Sequence, residues 1–275
     1  MKPQQQAGSR PPTPQHHFPA SAREARDEFQ RRFQHLRHQA QDMVDHYVPQ
    51  EVQKEAHRKG FHMTAGILAT PLVLYGGFLF TTLAALACLI VIVAVELLQA
   101  RYRLAVPVIT SQLLSTRRPG EQFSWAATTF IIAALPILWI APTPVALAAL
   151  AMLGLGDGMS AMVGKMIGKH KLRYNPDKSW EGSLAGFLGG SLGALVVTAW
   201  YYAEAGLEYP MLAIVPVAVA GALAAAIVES LPQWEDNVSV PIVSAGTMML
   251  LWFTTGLQPE VGPIVDLVIA HWPLV

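Results

Sequence analysis

Residues 61–100 read FHMTAGILATPLVLYGGFLFTTLAALACLIVIVAVELLQA. A membrane-spanning helix needs about 20 predominantly apolar residues, so this stretch is long enough for two. It holds no Lys or Arg, and its only carboxylate is Glu96. Gly76–Gly77 falls near its middle, where a tight turn is expected. The stretch predicts spans at 61–78 and 80–100. Comparable runs downstream predict spans at 124–141, 143–163, 183–203, 211–231 and 239–256. The expected fold is all-α, a polytopic transmembrane helical bundle of about seven spans, with 61–275 as the membrane domain. The apolar tail 257–275, with Pro263 and Pro273, reads equally as an interfacial or a half-inserted helix.

The charge distribution agrees with that reading. Of 275 residues, 52% are hydrophobic and 14% charged, whereas soluble domains carry about a quarter charged residues. All 19 Lys and Arg fall in 1–60, 101–118 or 165–178, and none follows Lys178. Under the span order above, these three segments share one face, and a surplus of cations marks the cytoplasmic one. The N-terminus is therefore expected inside. The loop 204–210, with Glu204 and Glu208, is expected outside. A formal net charge of zero gives no electrostatic footprint for nucleic acid. Cys88, the one cysteine, excludes a disulfide framework and reads as a small core residue.

Ahead of the spans, residues 1–20 are rich in Gln, Pro and His and read as disordered. His16–His17 reads as incidental rather than as a metal site. Residues 21–60 read as a cytoplasmic helical segment. Ser21 and Glu24 have capping-box spacing. Phe29, Phe33, Leu36, Ala40, Met43 and Tyr47 then line one stripe of an amphipathic helix, which Pro49 ends or separates from the next. The stripe suits a helix lying on the membrane domain or the headgroups. A homodimer through the same stripe is the weaker alternative, since it covers fewer than three heptads.

The densest polar stretch is 154–183, GLGDGMSAMVGKMIGKHKLRYNPDKSWEGS. Asp157 stands at the end of an apolar run, where an ionisable group is costly and usually functional. Ala161, Gly164 and Gly168 follow on the same helix face. Small residues there admit either a phosphate or another helix. The basic loop after them holds Lys165, Lys169, Lys171, Arg173 and Lys178, with a turn expected at Asn175–Pro176. Taken alone, such a loop is a topology signal or an anionic-lipid contact. Ser179 or Ser183 is a candidate cap for the next helix, whose N-terminus attracts anions. Further acids fall near the same face: Glu96, Glu229, Glu235 and Asp236, the last followed by Asn237. Arg118 and Glu121 flank Gly120 at the mouth of the third span. Carboxylates with Lys and Arg at one face meet the needs of a Mg²⁺–nucleotide site. No P-loop, His-Glu-x-x-His pair or nucleophile elbow is present.

Several of these residues recur in one known pattern. Gly156-Asp157-Gly158-x-x-Ala161-x-x-x-Gly164, with Gly168 and then Lys178-Ser179-x-Glu181-Gly182-Ser183, resembles the CTP-dependent lipid-alcohol kinases. These include the dolichol, phytol and polyprenol kinases. Arg58-Lys59-x-x-His62, Arg118-Pro119-Gly120-Glu121, and Val228-Glu229-Ser230-Leu231-Pro232 with Asp236-Asn237 extend the resemblance over roughly residues 55–245. The run Tyr174-Asn175-Pro176-x-Lys178-Ser179 looks most similar to the phytol-kinase branch.

The resemblance implies a many-spanning enzyme that uses Mg²⁺ and binds CTP on the cytoplasmic side. Its acceptor is the hydroxyl of a lipid alcohol in the bilayer. It implies metal ligation by Asp157 and Asp236, with Asp157, Glu121 and Asp236 as candidate catalytic acids. Phosphate binding falls to Arg118, Gly164, Lys165, Gly168, Lys178, Ser179, Glu181, Gly182 and Ser183. Arg58, Lys59, His62, Glu96, Glu229 and Asn237 are further candidates. Two alternatives stand beside the kinase. One is a phosphatidate cytidylyltransferase, which the central motif also resembles. The other is a transporter with an ion path through the embedded acids.

Overall fold

The computed structural model of the chain describes residues 20–47, 50–102, 123, 125–232 and 235–254. The chain divides into two compact units, residues 1–50 and 51–275. In the first, α1 (Ala20–Tyr47) is one unbroken helix. Its Phe29, Phe33 and Leu36 are exposed, and the rings of Phe29 and Phe33 stack with centroids 6.3 Å apart. Ser21 lies just inside this helix rather than at its boundary.

The second unit takes in α2 (Gln50–Tyr102) from Glu51 onward and α3 (Trp125–Ile140). A central column follows, made of α4 (Thr143–Ala151), a π turn (Met152–Gly156) and α5 (Asp157–Ile167). Next comes a hairpin of β1 (Lys171–Leu172) and β2 (Asn175–Ser179), then α6 (Trp180–Glu204), α7 (Met211–Ser230) and α8 (Asp236–Thr254). Five helical segments among the described residues are long and apolar enough to cross a bilayer. They are Arg58–Tyr102, Thr143–Ile167, Trp180–Glu204, Met211–Ser230 and Asp236–Thr254. The stretch expected as a span at 124–141 gives the shorter apolar helix α3, and the tail 257–275 lies outside the described residues.

The stretches 61–78 and 80–100 are joined without a loop. The only break inside α2 is Gly77, at φ 78°, a conformation open to glycine at no steric cost. That break reverses the chain, as contacts along α3 show. His62 meets Phe130 edge-on with centroids 5.6 Å apart. Further along, Trp139 lies against Phe78 and donates to Thr82 Oγ1 at 2.8 Å. Ile92 and Val95 return to the level of Ala127 and Ile131. The two halves of α2 are thus antiparallel. Cys88, expected in the core, lies exposed on the returning half, on a surface whose Leu83, Ile90 and Leu97 are exposed too. Apolar residues facing hydrocarbon need no burial in protein, so apolarity alone did not place this cysteine.

The core is the column. Every residue of α4, TPVALAALA, is buried, and α6, α7 and α8 surround it with Val197, Ile214, Val217, Met248 and Trp252. Short side chains let neighbouring backbones approach closely, which drives helix association where no water is present to expel. A Cβ on Gly66 would sit 2.6 Å from Leu150 O and 3.1 Å from Gly154 Cα. One on Gly154 would sit 2.9 Å from His62 O. The first half of α2 is therefore seated against the column backbone to backbone, which brings Lys59 and His62 to the level of Asp157.

Between Lys171 and Ser179 the basic loop folds into an antiparallel hairpin. The turn falls at Arg173–Tyr174, and Asn175–Pro176, expected as the turn, begins β2 instead. A two-residue connection suffices for a hairpin, and an edge strand tolerates the N–H that Pro176 lacks.

Gly66→Ala should cost about 1–3 kcal/mol, because the clash is with backbone that cannot rotate away. Gly60→Ala, where no atom lies within 4 Å of the new methyl, should be neutral or stabilising by up to about 1 kcal/mol. Thermal unfolding of both variants in detergent checks the pair. Equal midpoints would argue against the close seating of α2.

Candidate active site

The polar residues of the second unit converge at one end of the bundle. Asp157 follows the π turn, Glu229 lies in the last turn of α7, and Asp236 opens α8. Each offers a carboxylate oxygen, and the three atoms lie within 4.8 Å of one another. A helix dipole favours an anion at its N-terminus and opposes one at its C-terminus. Asp236 is therefore well placed, whereas Glu229 depends on a cation.

Two lysines supply the balancing charge. Lys178, on β2, donates to Glu229 Oε1 at 2.8 Å and to Asp236 Oδ2 at 3.3 Å. Burial disfavours its ammonium, but Glu229 and Asp236 outweigh that effect and hold its pKa above the ordinary lysine value. Lys59, on the first half of α2, pairs with Asp157. Three carboxylates meet two ammonium groups, which leaves a net negative charge. Oxygen donors at this spacing fit a hard divalent cation such as Mg²⁺, which Asp157, Glu229 and Asp236 could hold.

Beside the acids a cavity of about 620 Å³ opens between α2, α5, β2 and the first turns of α6 and α8. Lys59, Lys165, Lys171 and Lys178 line it, together with Arg58. Glu55 ties two of these cations together. It pairs with Arg58 and accepts from Lys165 at 3.1 Å. Burial raises the Glu55 pKa, but Arg58 and Lys165 outweigh it and leave the carboxyl below its usual range.

The small-residue face of α5 serves helix packing as well as the cavity. A Cβ on Gly182 would lie 2.9 Å from Ser160 O and 3.1 Å from Gly164 Cα, so α5 and α6 touch through their backbones. Gly164, Gly168, Ser179 and Gly182 also line the cavity, so a ligand there meets backbone rather than long side chains. Of the two candidate caps, Ser179 is the one used. Its side chain accepts from Gly182 N at 3.2 Å.

Several sequence candidates stand elsewhere. Ser183 faces an apolar groove on another side of α6. Glu181 accepts from His170 N and lies 2.6 Å from His170 Nδ1, so it braces the loop outside the cavity lining. Asn237 donates to Ala126 O and Thr129 Oγ1 and fastens α8 to α3. His62 is buried against Phe130 with Nδ1 lacking a hydrogen-bond partner. Glu96 is buried on the returning half of α2 and does not line the cavity. Arg118 and Glu121 lie outside the described residues. The structure adds Glu55, Ser160, Lys171 and Asp177 to the lining. Glu55 was visible as the i,i+3 partner of Arg58, but its tie to Lys165 spans 110 positions.

Relatives carry the same kinase resemblance. The chain is 32% identical over 105 residues to phytol kinase 1 of Arabidopsis thaliana, covering 37% of this chain and 34% of the relative. It is 35% identical over 121 residues to probable phytol kinase 3 of Glycine max, covering 43% and 37%. It is 35% identical over 117 residues to farnesol kinase of Arabidopsis thaliana, covering 40% and 36%. The chain thus spans little more than a third of the length of these curated relatives, all three of which are named chloroplastic. No family model matches the chain, and no solved structure matches it.

Lys59→Ala should destabilise the protein by about 3–5 kcal/mol, because it strands a buried carboxylate. Adding Asp157→Asn should recover much of that loss by removing the stranded charge. Thermal midpoints of the single and double variants in detergent test this. A double variant no more stable than Lys59→Ala would show that the pair is not electrostatically coupled.

Proposed function

We propose that this protein is a kinase that moves the γ-phosphoryl group of CTP to the hydroxyl of an isoprenoid alcohol in the membrane. The observation that carries the reading is the buried Asp157–Glu229–Asp236 cluster, paired with Lys59 and Lys178 beside a cation-lined cavity. Similarity to phytol and farnesol kinases supports the acceptor class. CTP as the donor is what the sequence resemblance implies. In this reading the helices cross the bilayer seven times, with the N-terminus and the site on the cytoplasmic face.

Phosphoryl transfer asks mainly for alignment and for neutralisation of charge. Arg58, Lys59, Lys165, Lys171 and Lys178 receive the triphosphate. The first three and Lys178 exchange carboxylate partners for phosphate oxygens as the nucleotide enters. When bound, Mg²⁺ on the three carboxylates supplies further charge neutralisation at the phosphates. Gly164, Gly168 and Gly182 let the phosphates approach the backbone, and the N-terminus of α6 faces them with its dipole. The acceptor oxygen bonds to the γ-phosphorus, the bond to the bridging oxygen breaks, and CDP leaves. One carboxylate of the cluster takes the hydroxyl proton.

CTP labelled at the γ or the α phosphate tests the reaction. The purified protein should transfer γ label to phytol, geranylgeraniol or farnesol and no α label. Label from the α position in a phosphatidic-acid product would replace the kinase by a cytidylyltransferase. Diacylglycerol as sole acceptor would keep the reaction and remove the proposed substrate class. Asp157→Asn should abolish turnover in a folded protein. Lys178→Ala should cost about 1.5–3 kcal/mol in kcat/KM for CTP, the worth of a charge-assisted hydrogen bond. Unchanged kinetics at low salt would confine Lys178 to balancing Glu229 and Asp236 and remove it from phosphate binding.

A further inference from the structure

A second cavity, of about 260 Å³, lies between the hairpin, α6 and α7. Its walls are Trp180, Leu184 and Phe187 on α6 with Leu223, Ala226 and Ile227 on α7. Leu184, Leu223 and Ile227 are more than half exposed although they sit on helices of membrane-spanning length. The groove is therefore open sideways to hydrocarbon. Along α6 the exposed stripe continues through Leu188, Leu192 and Val196, leading away from the site and into the depth of the membrane.

The other end of the groove is polar. Tyr174 and Ser230 meet there, at the same end of the bundle as the carboxylates, and Ser183 also lines the groove. Ser183 follows Gly182, which lines the cation-rich cavity, and Ser230 follows Glu229 of the acidic cluster. Asn175 Nδ2 holds Ser230 O at 3.0 Å and fixes the strand against α7. The proton arrangement can be worked out. Ser230 Oγ spends its hydrogen on Ile227 O at 2.6 Å. Tyr174 must therefore donate across its 2.8 Å contact with Ser230 Oγ. The phenolic oxygen keeps its lone pairs and can accept a hydrogen bond from a hydroxyl in the groove.

We propose that this groove is the acceptor subsite. It takes the first isoprene units of a single-chain alcohol, with Tyr174 accepting from the hydroxyl as a positioning residue while the alcohol docks, before that hydrogen turns to a carboxylate of the cluster for transfer. The inference rests on the kinase reading and deepens it. An apolar slot open to the bilayer, closed by hydroxyl groups at the level of the carboxylates, matches an amphiphile with one polar atom and one chain. Its volume is below the roughly 300–1,000 Å³ of sites that enclose a drug-sized ligand. The groove thus holds the head of the chain, and the remainder lies along the Leu188–Leu192 stripe. A single narrow slot favours one prenyl chain over the two chains of diacylglycerol.

The test uses the full chain in phosphatidylcholine nanodiscs with a farnesol that carries a diazirine near its hydroxyl. Crosslinks should map to 180–187 and 223–227 and be competed by phytol. Label spread over all lipid-facing helices would overturn the subsite. In turnover, Ala226→Trp fills the groove and should raise KM for farnesol about tenfold or more, as steric loss in an apolar pocket does. KM for CTP should not move. Tyr174→Phe, a smaller change, should raise the farnesol KM about 2–10-fold, the worth of one neutral hydrogen bond. Ile90→Trp, on the exposed surface of the returning half of α2 and outside the groove lining, should leave both constants unchanged. Transfer with unaltered farnesol KM in both groove variants would overturn the proposal while sparing the kinase reading. Crosslinking in the groove without transfer to any alcohol would keep the groove as a prenyl-alcohol site and remove the kinase.

Discussion

One carboxylate organises this protein. Asp157 is almost wholly buried at the foot of a column whose upper part is nothing but Ala, Val, Leu, Pro and Thr. A charge so placed is tolerated only when a partner and hydrogen bonds come with it. That requirement brings Lys59 in from 98 positions away, and with it the whole first half of α2. The backbone contact of Gly66 with Leu150 and Gly154 is the packing that lets Lys59 reach. Lys178 then balances Glu229 and Asp236, and the hairpin exists to carry it. The electrostatics and the helix packing are thus one solution.

Much of this was legible in the sequence because membranes simplify the code. Long apolar runs, the absence of Lys and Arg after Lys178 and one acid at the end of a run leave few alternative arrangements. The reversal at Gly77 is encoded locally, since only glycine takes that backbone conformation freely. Local signals also marked Ser179 and Lys178. The pairing of Lys59 with Asp157 could not be read from either segment, because it depends on how two distant helices cross. The roles of Asn237 and Glu181 were hidden for the same reason. Both look like site residues by position, but one fastens α8 to α3 and the other braces His170. Ser183 was misplaced by one helix face. Two serines four residues apart at a helix start look equivalent until the cap is seen to belong to Ser179.

The small residues carry two roles that the sequence presented as rivals. Gly164 and Gly182 press α5 against α6, and they also leave the cavity floored by backbone. The same economy appears in the cations. Arg58, Lys59, Lys165 and Lys178 are already satisfied by Glu55, Asp157, Glu229 and Asp236. Such a site is stable without ligand, and it accepts an anion only by rearranging ion pairs. A bare phosphate would gain little from that exchange, whereas a polyphosphate arriving with a divalent cation would satisfy the lysines and the carboxylates together.

The π turn at Met152–Gly156 has a bearing on how such a site arises. A π turn holds one more residue than the α-helical turn it replaces, and one residue is about 100° of helix rotation. Everything from Asp157 onward is therefore turned out of phase with α4, although the axis runs on. The column can keep one angular setting for its apolar neighbours above and another for its charged neighbours below. A single inserted codon is enough to make such a change. Removing one residue from this turn would rotate Asp157 away from its present neighbours without any side chain being replaced. In that sense the geometry of the site is written partly in chain length.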